Sequence, residues 1–111
     1  MAALAGCGGG GDPPAAAGPT ALTVRHYDGE RLVRTTTLGC GADDVVCAEV
    51  VALLPGLRPD PGEVCTQIYG GPERIVVEGT VDGDPVRREV TRANGCEIAR
   101  YDRLEKALAA G

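Results

Sequence analysis

The sequence predicts an α+β fold, an antiparallel sheet layered against helices. Three observations carry this expectation. Two Asp-Gly pairs, Asp28-Gly29 and Asp82-Gly83, each lie between runs rich in β-branched residues. Both residue types tolerate φ > 0, so each pair is a strong hairpin signal. A helical apolar stripe separates the two hairpins, and a second helical stretch closes the chain. Strands grouped in hairpins, with the helices set apart from them, point to an antiparallel layer fold.

In chain order, "TALTVRHY" alternates and puts Leu22, Val24 and His26 on one face of a half-buried strand. "ERLVRTTTLG" is the return strand, rich in β-branched residues. His26 is the one histidine; with no second ligand at suitable spacing, it reads as a structural residue on a strand face. "DDVVCAEVVALLPG" predicts a helix capped by Asp43 or Asp44, with Val46, Val50, Leu53 and Leu54 as its stripe and Pro55-Gly56 as its stop. "GLRPDPGE" is rich in turn formers and leads to Cys65 without regular structure. "ERIVVEGTV" and "PVRREVTR" make the second hairpin, with Val86 and Val90 on one face. Asp102 and Glu105 have the spacing of a capping box for a short terminal helix containing Leu104 and Leu108. No internal repeat is present.

Composition limits the function. The chain has 111 residues, no Trp, no Phe and three Tyr, so its core is thin. A net charge of −5 supplies no basic face for nucleic acid. There is no serine, which excludes a Ser–His–Asp hydrolase. No set of nucleophile, base and orienting group can be assembled, and no close carboxylate pair stands out. The expectation is a protein that is not an enzyme and needs no cofactor.

Five cysteines in so short a chain point to cross-linking: Cys7, Cys40, Cys47, Cys65 and Cys96. Cys7 ends "LAGC", which resembles the bacterial lipobox, where the cysteine becomes lipid-modified. "GGGGDPPAAAGP" follows as a flexible tether. Residues 1–19 therefore read as a truncated lipoprotein signal and linker, and residues 20–111 as the folded domain. Only six residues precede Cys7, so this reading requires a start upstream of Met1. No other stretch is long and apolar enough to span a bilayer, which leaves a lipid anchor as the one route to a membrane. The expected location is extracytoplasmic, secreted or anchored to the outer face of the cell membrane. The other four cysteines allow three pairings. Cys40 and Cys47 enclose six residues, Cys65 and Cys96 thirty. Closing the longer loop stabilises by about 3–4 kcal/mol in the chain-entropy model. A four-cysteine zinc site lacks any close C-x₂₋₄-C pair, so no metal is expected.

The order of strand hairpin, cysteines flanking a helix start, "CTQIYGGP", second hairpin and "NGCE" resembles the Streptomyces subtilisin inhibitor family. The matching positions are Cys65, Tyr69, Pro72, the hairpin over 73–92 and Asn94-Gly95-Cys96-Glu97, and the resemblance covers residues 20–103. It implies a five-stranded antiparallel sheet carrying two helices, a homodimer, and disulfides Cys40–Cys47 and Cys65–Cys96. It implies inhibition of a subtilisin-like serine protease by a standard-mechanism reactive loop. The scissile bond would be Gln67–Ile68, with Gln67 as P1, Ile68 as P1′, Thr66 as P2 and Cys65 as P3. Tyr69 belongs to the same loop, and Asn94 would hydrogen-bond behind it. An extended loop of this kind adds to the protease as a β-strand, and a disulfide at its base removes ordering entropy from binding. Three features depart from the family: the Cys40–Cys47 loop is shorter, Gly70-Gly71 adds a glycine, and Gln67 is polar where subtilisin-like S1 pockets favour large apolar side chains. They leave a second reading, a lipid-anchored surface protein that binds or builds without inhibiting.

Overall fold

The computed structural model describes residues 19–41 and 44–110. Cys7 with its lipobox, the tether as far as residue 18, and Asp43 lie outside the described residues.

The first hairpin joins β1 (Ala21–Asp28) to β2 (Arg31–Gly39). Its turn is Gly29-Glu30, one residue later than the Asp-Gly pair suggests, with Gly29 at φ 63°. A register shift between His26 and Tyr27 accommodates the tight turn. The second hairpin joins β3 (Glu73–Val81) to β4 (Asp84–Val90). Asp82 and Gly83 have φ of 52° and 86°, the left-handed pair of a type I′ turn. β1 and β3 pair antiparallel and join the hairpins in the order β2-β1-β3-β4. The sheet thus has four strands among the described residues, against about five expected.

Cross-strand partners such as Leu22 with Leu38, Val24 with Val77 and Ile75 with Val90 line one face. Both helices cover that face. Helix α1 (Val45–Leu53) starts where the Asp44 carboxylate accepts from the Cys47 N–H at 2.9 Å. Pro55-Gly56 converts the chain to a 3₁₀ turn over Leu54–Leu57 rather than stopping it abruptly. Val50, Leu54, Leu57, Leu104 and Ala107 from the helical layer close one core with Leu22, Val24, Leu38, Ile75, Val77 and Val90. Each large side chain fully removed from water there contributes about 1.5–3 kcal/mol.

Helix α2 corrects the sequence reading. It spans Gly95–Leu108 and begins well before Asp102. Its N-cap is Asn94, whose Oδ1 accepts from the Glu97 N–H at 3.0 Å. Glu97 in turn accepts from the Thr91 N–H at 3.3 Å. "NGCE" therefore carries the cap, Asn94 serving as well as Ser or Thr, while Glu97 reaches back past the cap to Thr91 rather than closing a capping box on the Asn94 N–H. Asp102 lies within the helix and pairs with Arg92 at 2.9 Å.

His26 is 8% exposed between β1 and α2, with Nε2 3.1 Å from the Arg34 guanidinium and 3.4 Å from the Glu105 carboxylate. Burial lowers its pKa, and Arg34 lowers it further against the opposing pull of Glu105. Among the described residues no helix is long and apolar enough to cross a membrane.

Candidate functional site

Residues 63–71 leave the core and enter neither helix nor strand. Both ends of this segment are tied to the region where β4 hands over to α2.

The upstream end is held at three levels. Glu63 meets the guanidinium of Arg100, which is 5% exposed and also donates to Glu97 at 3.1 Å. A cation this deep needs partners on both sides, because an unpaired buried charge is expensive. Two residues on, Cys65 and Cys96 are bonded, with Cα atoms 5.3 Å apart. The Gly95 N–H then donates to the Thr66 carbonyl at 2.9 Å. That N–H is one of the helix's first-turn donors, which have no partner inside the helix. A Cβ at Gly95 would meet the Thr66 hydroxyl, which would have to turn away, so the close approach favours glycine at that position.

The downstream end rests on Arg92. Gly70 donates its N–H to the Arg92 carbonyl at 2.7 Å, and its own carbonyl accepts from Arg92 Nε at 3.1 Å. The Arg92 guanidinium lies 5.0 Å from the centre of the Tyr101 ring and donates to Asp102. Burial, followed by the neighbouring Glu105, raises the Tyr101 pKa. The ring therefore stays neutral beneath the cation. Pro72 accepts from the Gly29 N–H at 3.1 Å, which ties the segment's end to the first hairpin turn.

Between these holds the side chains point outward. Thr66, Gln67, Ile68 and Tyr69 are all exposed, Ile68 at 60% and Tyr69 at 68%. Val64, on the other side of the disulfide, is 95% exposed. The Gln67 amide donates to the Cys65 carbonyl at 3.3 Å. Apolar side chains this exposed on a segment this well fastened are unusual for packing and ordinary for binding.

The sequence-derived residues thus fall together: Cys65, Thr66, Gln67, Ile68 and Tyr69 form one segment over the N-terminus of α2. Asn94 lies beneath it, but its side chain caps α2; the hydrogen bond to the loop comes from the backbone of Gly95. Val64, Glu63, Arg92 and Arg100 are additions that the sequence reading missed. For the start of α2 the "N-x-x-E" spacing was the available signal, since it sets the helix at Gly95 and aims its first turn at Cys65; the two arginines had none. The Cys40–Cys47 bond, with Cα atoms 5.4 Å apart, lies away from this segment at the β2–α1 junction. Glu63, Cys65 and Cys96 bring ligand-type atoms within 4.8 Å of one another, but the two sulfurs are bonded and offer no thiolate to a metal.

No family model and no curated protein matches the chain. Among solved structures, it is similar to Streptomyces caespitosus sermetstatin, crystallised in complex with Bacillus licheniformis subtilisin. The two share 24% identity and superpose with a TM-score of 0.55, over 85% of this chain and 100% of that one. The α+β fold read from the sequence is thereby borne out, and it is the fold of a protein solved bound to subtilisin.

Proposed function

We propose that the chain inhibits a subtilisin-like serine protease by a standard-mechanism loop, with Gln67–Ile68 as the scissile bond. One observation carries the reading. Val64 and residues 66–69 expose their side chains and pair with no strand, while both flanks are fastened to α2 and the β4–α2 junction. A protease binds such a segment as an added strand, and fastening it beforehand lowers the entropy lost on binding. The likeness to sermetstatin supports the choice of partner class. Gln67 occupies P1, Thr66 P2, Cys65 P3 and Val64 P4, with Ile68 and Tyr69 on the leaving side.

The polar Gln67 favours the second reading, a surface module that keeps the fold and binds something else. Titration separates the two. Residues 20–111 added to subtilisin should suppress turnover of a peptide substrate, and Gln67→Leu should strengthen inhibition by about tenfold, the value of one large apolar side chain in a pocket. Undiminished turnover in a large molar excess of chain, with the loop digested, sinks the inhibitor reading.

Two disulfides fit an oxidising compartment. "LAGC" supports a lipid on Cys7 that keeps the domain at the outer face of the membrane. Equal release of wild type and Cys7→Ala into the medium, from a gene with its native upstream region, would remove the anchor from this account.

A further inference from the structure

We infer that Arg92 is a positioning residue for the amine side of the Gln67–Ile68 bond, holding Ile68 in place through Gly70 once the bond is cut. This rests on the inhibitor reading above.

The two sides of the bond are held unequally. On the acyl side, Thr66 is bonded to Gly95, Cys65 to Cys96, and Glu63 to Arg100, so the nearest hold is one residue from Gln67. On the amine side, the hydrogen bonds of residues 68–71 among the described residues all run between Gly70 and Arg92. Arg92 meets Gly70 twice: its backbone carbonyl accepts the Gly70 N–H, and its side-chain Nε donates to the Gly70 carbonyl. The fit is close: a Cβ on Gly70 would come within 2.9 Å of Ile98 and 3.1 Å of Arg92 Nε. Arg92 is itself immobilised, stacked against Tyr101 and paired with Asp102, both on α2.

That asymmetry has a chemical consequence. When the protease hydroxyl attacks the Gln67 carbonyl, the C–N bond to Ile68 breaks. An ester forms, and the Ile68 amine leaves carrying the proton passed through the protease's base. Two reactions then compete for the ester. The Ile68 amine can attack it, re-forming the peptide and returning the proton to the hydroxyl. Water can attack it instead, leaving a Gln67 carboxylate and a nicked chain. The first wins only while the amine stays near the ester at high effective concentration. The acyl side is already bonded to the protease, so the outcome turns on the amine side. There Arg92 is the hold nearest the cut bond, ahead of the Gly29–Pro72 hydrogen bond.

The test compares wild type, Arg92→Ala, Arg92→Lys and the double variant Tyr101→Leu/Asp102→Ala, with both disulfides intact, against subtilisin well below every variant's melting temperature. Mass spectrometry follows the fraction cut at Gln67–Ile68 while residual protease activity is recorded. Amide exchange at Gly70 is measured without protease. Arg92→Ala should accumulate nicked chain about tenfold faster than wild type as preorganisation is lost. Gly70 exchange should quicken by less, because its N–H is bonded to the backbone carbonyl of residue 92, which alanine retains. Arg92→Lys should rescue little, because a lysine cannot stack and donate at the guanidinium's fixed geometry. A purely structural role would lower the melting temperature and leave the cutting rate unchanged. A folded Arg92→Ala variant nicked no faster than wild type overturns the inference alone. Should Arg92→Ala fail to fold, Asp102→Ala combined with Tyr101→Leu removes both contacts that aim the guanidinium; the pair should raise the rate by about threefold, and a wild-type rate there overturns the inference equally. Wild type that never inhibits overturns the inhibitor reading and this inference with it.

Discussion

The two disulfides have almost the same reach, with Cα separations of 5.4 and 5.3 Å, yet they sit in regions held together differently. Cys40–Cys47 closes a sequence separation of 7 at a junction that is also capped by Asp44 and packed on the core, with Cys47 2% exposed. Cys65–Cys96 closes a separation of 31 and secures a segment whose large side chains face solvent. The first bond reinforces order that burial already supplies. The second substitutes for a core, together with the two arginines. A loop kept free of apolar packing keeps its side chains available, and the cost is dependence on polar and covalent ties.

The largest effect separating the two regions should come from replacing both members of a disulfide by alanine. Cys65→Ala/Cys96→Ala should lose about 3–4 kcal/mol and Cys40→Ala/Cys47→Ala about 2–3 kcal/mol in the chain-entropy model. Only the former should make residues 64–70 a protease target while the sheet remains folded, as limited proteolysis with mass mapping would reveal. Equal loop protection in the two double variants would erase the distinction.

Arg100→Ala comes next. It strands Glu63 and Glu97, and breaking a buried pair by removing one partner costs about 3 kcal/mol or more. Arg100→Met should cost less, since it keeps most of the volume, and denaturant midpoints would rank the two. The reverse order would mean that packing, rather than charge pairing, fastens the upstream end.

A smaller loss, about 1 kcal/mol, is expected for Asn94→Ala, which removes the cap of α2. Because the loop's hydrogen bond comes from the Gly95 backbone, Asn94→Ala should change loop exchange less than Arg92→Ala does. An equal effect would return Asn94 to direct support of the loop.

The smallest effect belongs to the scaffold and is one of pH. The pKa of His26 is lowered in the folded state by burial and then by Arg34, with Glu105 opposing. The unfolded chain, near the ordinary value of about 6.5, takes up the proton first. Stability is therefore complete above that value and falls as pH drops from it towards the lowered folded pKa. Thermal melts between pH 7.5 and 5.5 should show this decline in wild type and not in His26→Gln, with loop exchange following no such trend. A rise in stability over that interval would reverse the assignment.

The sheet was legible because its information is local. Alternation puts Leu22, Val24 and His26 inward, and Asp82-Gly83 declares its turn through left-handed backbone preference. The start of α2 was not, because glycine and cysteine in its first turn are poor helix formers by propensity. Gly95 fits for a different reason: the loop passes close by, and a Cβ there would displace the Thr66 hydroxyl. In the site, the cysteines mark where the loop begins. The ties made by Arg100 and Arg92 could not be read, since their partners Glu63 and Gly70 lie 37 and 22 positions away. Nothing in the sequence near either arginine distinguishes it from a solvated surface charge, which is how most arginines are found.

The central claim is that a segment without a core stays in place even when its backbone is cut. It is tested most directly by mixing catalytic amounts of subtilisin with intact chain in one vessel and with chain already cut at Gln67–Ile68 in another. The account predicts that both vessels converge on the same ratio of intact to singly cut chain, with no other bond broken. Cuts at several positions, or nicked chain that never re-forms the Gln67–Ile68 bond, would contradict it.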